Sequence, residues 1–190
     1  MSQDRVLSKA VIGQQTLLNT AGLILGGSLF VALAAQVSVP MYPVPMTLQT
    51  LAILIVGLTY GARLGALTLL AYLAEGAMGL PVFAGGGNGA SLVGPTAGFL
   101  FGFVPMAYLA GLAAEKGLAR GLIGTTVAGA VVTLLVFVPG VAWLSTFIGF
   151  ETAVQVGMMP FLVGMVVKSA IAAMVVRGGW KAVEAHRAKG

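Results

Sequence analysis

Residues 16–37 read Thr16-Leu17-Leu18-Asn19-Thr20-Ala21-Gly22-Leu23-Ile24-Leu25-Gly26-Gly27-Ser28-Leu29-Phe30-Val31-Ala32-Leu33-Ala34-Ala35-Gln36-Val37, with no charged residue among them. About 20 apolar residues in a helix span the hydrocarbon core of a bilayer. The surrounding chain repeats the signal: between residues 10 and 114 only Arg63 and Glu75 are charged. Of 190 residues, 58% are hydrophobic and 8% charged, whereas soluble domains carry about 25% charge. Mean hydropathy is +1.02. A water-soluble domain and a disordered chain are both excluded, the latter because it lacks apolar material on this scale. The expected class is an all-α integral membrane protein of one domain, residues 1–190.

So long an apolar stretch must be cut by turns, and the breaks are visible in the sequence. Pro40, Pro43 and Pro45 interrupt the first run, and Gly61-Ala62-Arg63 forms a short polar turn. Leu80-Pro81 leads into Gly85-Gly86-Gly87-Asn88-Gly89. Glu115-Lys116 to Arg120 is hydrophilic, and Pro139-Gly140 with Glu151 to Pro160 makes the last break. Six transmembrane spans follow, near 16–37, 46–60, 64–82, 95–114, 121–138 and 160–177, with a basic tail at 178–190. The runs are continuously apolar rather than alternating, which argues against a transmembrane barrel.

Charge gives the orientation. With Arg5 and Lys9 on the cytoplasmic side, six crossings put Arg63, Lys116, Arg120, Arg177, Lys181, Arg187 and Lys189 there too. Of the ten basic residues only Lys168 is left over. The outer loops 38–45, 83–94 and 139–159 hold no Lys or Arg, as the positive-inside rule asks. Both termini are therefore expected inside. Topology also accounts for the net charge of +5 better than nucleic-acid binding does, since no dense basic patch exists. The run Leu23 to Leu33 with Ala32-Leu33-Ala34 imitates a signal-peptide core, but later spans look alike, so we read it as a mature helix. Trp143 and Trp180 fall near the two interfaces, where indoles anchor.

Small residues recur at spacings of four: Gly22/Gly26, Gly57/Gly61/Gly65, Gly98/Gly102 and Gly117/Gly121. Such pairs let helix backbones approach closely in lipid. Internal packing is the plainer explanation. The sharper one is a docking face for another membrane subunit on the first helix, around Gly22, Gly26, Ser28 and Ala32.

Catalysis finds little support. His186 is the one histidine, there is no cysteine, and no HExxH or GxxxxGK[ST] motif occurs. No catalytic residue, metal ligand or cofactor is expected. The informative residue is Lys168, eight positions after Pro160 and nine before Arg177, hence roughly 12–13 Å from either end of its span at 1.5 Å per residue. A lysine at that depth costs about 2.5–3.5 kcal/mol even on the lenient insertion scale. It should face the bundle interior and meet an anion. Two are available: Glu75 of the third span, or the carboxylate of a ligand entering from outside. Thr47, Gln49 and Asn88 add polar groups on the outer side, amides suiting a cyclic amide or urea. Tyr42, Phe83, Phe99 and Trp143 could wall a small ligand.

Four segments stand out as motifs. Pro43-Val44-Pro45-Met46-Thr47-Leu48-Gln49-Thr50-Leu51 reads as PVPxTLQTL, and Gly76 to Gly86 is a glycine-rich segment around Leu80-Pro81. Gly94-Pro95-Thr96-Ala97-Gly98-Phe99-Leu100 is similar to GPTGGYL, and Pro160-Phe161 through Lys168 is similar to PFxxGDxxK. On these segments the chain resembles the BioY family, biotin-specific substrate-binding subunits of energy-coupling-factor transporters. The resemblance implies a six-helix protein of a prokaryotic plasma membrane that captures biotin from outside. It also implies assembly with a transmembrane coupling subunit and two cytoplasmic ATP-binding-cassette ATPases, and self-association into a homo-oligomer stays open beside those partners. By position, Lys168 would pair with the biotin carboxylate. Gln49 and Asn88 would bond the ureido ring or order the loop around it, and Tyr42, Phe83 and Phe99 would wall the ring and chain. An autonomous secondary carrier, with Glu75 and Lys168 as a relay, is the alternative. One departure stands out: Met165 occupies the motif's aspartate position, three residues before Lys168. An unmet buried hydrogen-bond partner costs about 1–3 kcal/mol, so biotin binding should weaken about ten- to a hundredfold unless another acceptor substitutes.

Overall fold

A computed structural model describes residues 6–12, 16–119 and 121–188. The charges at Arg5, Arg120 and Lys189 lie outside the described residues, as does the Lys9 side chain. The order is α1 (Leu7–Ile12), α2 (Leu17–Gln36), β1 (Ser38–Val39), β2 (Met46–Thr47), α3 (Gln49–Tyr60), α4 (Ala62–Ala77), two 3-10 turns (Ala84–Gly86 and Gly89–Leu92), α5 (Ala97–Glu115), α6 (Gly121–Ile148), α7 (Phe150–Gly157) and α8 (Phe161–Arg187). Helices α2, α5, α6 and α8 are long and apolar enough to cross a membrane. The 12 residues of α3 and 16 of α4 reach only about 18 and 24 Å at 1.5 Å per residue.

Three expected boundaries differ. The turn between the second and third spans shrinks to Gly61, whose φ of +87° is a backbone conformation that side chains rarely adopt. The Glu115 carboxylate, at the end of α5, accepts the Ala62 N–H at 2.9 Å and so caps the start of α4. Pro139 does not end its helix, and α6 runs through it for 28 residues. A proline removes one helical hydrogen bond, but packed neighbours hold the next turn in place. Here Gly98 of α5 lets that helix approach the Pro139 carbonyl, and Gly102 lies under the proline ring. At the other end, α8 passes Gly178 and Gly179 and carries most of the expected tail as helix to Arg187. The Leu7 side chain packs against Gly179, and Arg187 donates to the Ala10 carbonyl at 3.2 Å, so α1 braces that extension.

Helix α5 is the hub, packed on α3, α4 and α6, with α8 closing against α6 and α3. Two thirds of the α5 apolar window is buried (67%), against 17% for α2, which lies on α4 at the edge. The glycine pairs sort accordingly. Gly57 and Gly65 meet the Ala107 backbone, and Gly98 and Gly102 meet α6, so these are internal contacts. Gly117 and Gly121 have positive φ and make the α5–α6 turn. Gly22 and Gly26 meet nothing within 4 Å.

Candidate functional site

Between α2 and α3 the chain folds into a small antiparallel ribbon, with Ser38 opposite Thr47 and Val39 opposite Met46. The ribbon carries the proline loop around a cis Tyr42–Pro43 peptide and delivers Thr47 to the start of α3. Below it lies a cavity of about 270 Å³. Pro43, Val44, Pro45, Thr47, Gln49 and Thr50 line one side. Phe83, Ala84, Ser91 and Thr96 come from the loop before α5, Phe99, Leu100 and Phe103 from α5, Thr133, Val136 and Phe137 from α6, and Gly157, Phe161, Met165 and Lys168 from α7 and α8. This is an aromatic box with several hydroxyls and one ammonium on its wall.

Lys168 donates to the Thr47 carbonyl at 2.6 Å and to the Thr50 hydroxyl at 3.3 Å. Among the described residues these are its hydrogen-bond partners, and neither is a carboxylate. An ammonium has three protons, so one is left to donate into the cavity. Glu75 is elsewhere: its Oε1 accepts from Ser28 Oγ at 2.7 Å, joining α4 to α2. Of the two anions open to Lys168, the protein's own carboxylate is therefore already engaged by another residue. Among the described residues no carboxylate lines the cavity. Met165 lines it one turn from Lys168, with no polar atom to offer there beyond its sulfur.

Gln49 is buried, and both ends of its amide are in use. Its Oε1 accepts from Thr47 Oγ1 at 3.0 Å, and its Nε2 donates to Tyr72 Oη at 2.7 Å. Tyr72 passes the chain on, donating to the Val82 carbonyl at 2.9 Å. Its ring meets Phe83 edge-on, centroids 5.2 Å apart. Tyr72, fully buried, escapes a reading of the sequence because an isolated tyrosine in an apolar run carries no pattern. Phe83 sits over Gly76, and Phe99 over Gly140, two glycines whose lack of a side chain makes room for the rings.

The structure thus brings Gln49, Phe83, Phe99 and Lys168 together. Tyr42 is 93% exposed and absent from the cavity wall. Asn88 is exposed as well, its Oδ1 accepting the Ala90 N–H at 3.2 Å, where it caps the second 3-10 turn. Trp143 has an internal partner: its Nε1 donates to the Gly94 carbonyl at 3.0 Å, tying the loop to α6. The four residues expected to form a docking face divide. Gly22 and Gly26 are open, whereas Ser28 and Ala32 are buried. Gln36, at the end of α2, carries no signal in the sequence. Its Nε2 donates to the carbonyls of Ala32 (3.2 Å) and Phe83 (3.1 Å), and its Oε1 accepts the Gly86 N–H at 3.1 Å.

Comparison with known proteins gives the family. The chain is 41% identical over 152 residues to the probable biotin transporter BioY of Pyrococcus horikoshii, covering 78% of this chain and 90% of that one. It is 38% identical to the biotin transporter BioY of Thermotoga maritima, covering 76% and 86%. Its fold is similar to the crystal structure of the S-component for biotin from an ECF-type ABC transporter. That match has a TM-score of 0.78 and 23% identity, and covers 88% of this chain and 95% of the other. Residues 8–185, nearly the whole chain, match the BioY family pattern, and with these relatives at hand the chain belongs to the BioY family.

Proposed function

We propose that this protein captures biotin from the extracytoplasmic side and serves its uptake as the substrate-binding subunit of an energy-coupling-factor transporter. The observation that carries the reading is Lys168: a half-buried ammonium on the cavity wall, held by two neutral oxygens, with no carboxylate beside it among the described residues. An ionisable group inside a membrane protein is expensive unless paired, and a ligand carboxylate supplies the missing charge. The biotin-transporter relatives name the acid. Phe83, Phe99, Phe103, Phe137 and Phe161 offer apolar walls for its ring and chain. Gln49 works by holding the Thr47 ribbon and Tyr72 in register, whereas Tyr42 and Asn88 act at the mouth, through the loops that cover it.

The reading includes six crossings with both termini cytoplasmic, α3 and α4 serving as short spans, in a prokaryotic plasma membrane. ATP hydrolysis then belongs to two cytoplasmic ATPases working through a transmembrane coupling subunit, and the face of α2 around Gly22 and Gly26 meets that subunit. The secondary-carrier alternative relied on a Glu75–Lys168 relay, and Glu75 bonds Ser28 instead.

The test is equilibrium binding of labelled biotin to the purified, detergent-solubilised chain, with Lys168→Met alongside. Saturable binding to the parent that collapses in the folded variant is expected. Equal binding by both would overturn the role of Lys168, and no binding by either would overturn biotin as the ligand.

A further inference from the structure

The loop from Phe83 to Leu92 covers one side of the cavity, contributing Phe83, Ala84 and Ser91 to its wall. Its later end is bound to α6 through Trp143 and Gly94, and Val82, just before it, to α4 through Tyr72. Between those ties, Gln36 of α2 fastens the loop to a helix by its side chain, donating to the Phe83 carbonyl and accepting the Gly86 N–H. The same amide also holds its own helix at the Ala32 carbonyl, so both Nε2 protons and Oε1 are used. Gly85 and Gly86 both have positive φ, and a methyl group added at either would meet nothing within 4 Å. The Phe83 ring is seated on α4 over Gly76, and Gly89 lies against the end of α4. Among the described residues the Gln36 amide is thus the side-chain tie that joins the Gly85–Gly86 turn to α2. Helix α2, in turn, is the least buried of the long helices.

We infer that Gln36 is a positioning residue that latches the cavity's cover to α2, so that the cover closes when α2 is seated on α4 and opens when α2 shifts. This rests on the biotin-capture reading for its ligand. Phe83 is the part that matters to the bound molecule, since its backbone carbonyl is held by Gln36 and its ring lines the cavity. Displacing α2 pulls on that carbonyl directly. Any partner that moves α2 thereby gains control over release, and a filled cavity favours the seated position of α2, because the coupling between two such sites is reciprocal.

The test compares the full chain with Gln36→Leu, which loses all three bonds, and Gln36→Glu, which keeps the acceptor for Gly86 but loses the donor to Phe83. Biotin association and dissociation are measured separately, and amide hydrogen exchange is followed on the ligand-free proteins. Of the three, the two bonds to the loop, lost at a partly exposed site, predict dissociation about five- to tenfold faster in Gln36→Leu. Association should stay within about twofold, and Gln36→Glu should fall in between. Exchange should rise in residues 84–92 and not in α5 or α6. Unchanged dissociation, or exchange that rises throughout the bundle, would overturn the latch. If the parent binds no biotin, the capture reading fails on its own, and the exchange pattern alone decides the latch: a rise confined to 84–92 supports it, and no rise there overturns it.

Discussion

At Gly76 a single added methyl would run into the Phe83 ring, and at Gly140 into Phe99. Both rings are cavity walls, so these glycines shape the site without touching its contents. Gly76→Ala should force Phe83 out of place, costing about 1–3 kcal/mol of stability, the usual penalty for overpacking, and weakening biotin binding in parallel. Thermal melting with a biotin titration reads both, and an unaltered titration would disprove the link. Gly22→Ala is the control: nothing lies near that position, and replacing a mid-helix glycine there should leave stability equal or slightly higher. Met165 gives the second prediction. An aspartate at this position lies one turn from Lys168 on nearly the same face and puts an N–H acceptor into a cavity with no carboxylate among its lining residues. Met165→Asp should tighten biotin binding about ten- to a hundredfold; equal or looser binding would refute it. The sequence disclosed Lys168 because a lone charge in an apolar run is conspicuous. It could not disclose Gln36 or Tyr72, whose importance comes from partners 47 and 10 positions away.

Between elements, the junction of α3 and α4 turns on one residue and one borrowed carboxylate. The first N–H groups of a helix have no partner within it, and Gly61 has no side chain to cap α4, so Glu115 does so from the end of α5. Glu115→Ala should lower stability by about 0.5–2 kcal/mol, in the range for losing a helix cap. Glu115→Gln, which keeps an oxygen there, should lose less. Equal melting temperatures for all three proteins would show the cap to be idle. Helix packing also narrows the expected first-helix docking face. Ser28 and Ala32 are buried, Ser28 against Glu75 of α4, so a large side chain at Ala32 would disturb internal packing. Gly26→Leu is the informative change, expected to leave biotin binding intact while impairing uptake in membranes that contain the partner subunits. Loss of binding in that variant would mean that the open face is part of the fold.

For the molecule as a whole, the proposed orientation fixes which loops face which side. The chain contains no cysteine, so single introduced thiols report topology cleanly. Ala90→Cys, in the loop over the cavity, should react with a membrane-impermeant maleimide on intact cells. Lys116→Cys, beyond the end of α5, should react only after permeabilisation. Both positions are exposed, so the reverse pattern would invert the orientation rather than report burial.

The sequence by itself determined the class and most of the helices. Apolar runs too long for a soluble core require a bilayer, and glycine or proline clusters mark where a chain in lipid can turn. It also singled out Lys168, because the cost of an unpaired charge in hydrocarbon does not depend on the neighbours. Only the tertiary structure decided whether Pro139 breaks its helix, since that depends on the glycines of α5 packed against it. It likewise decided whether Glu75 meets Lys168, because that carboxylate reaches Ser28 across the α2–α4 contact instead. Which glycines pack and which stay open was settled the same way: those facing α5 and α6 pack, and Gly22 and Gly26 on the edge helix α2 stay open. In each case the deciding energy lies between residues far apart in the chain, and spacing along a single helix carries no trace of it.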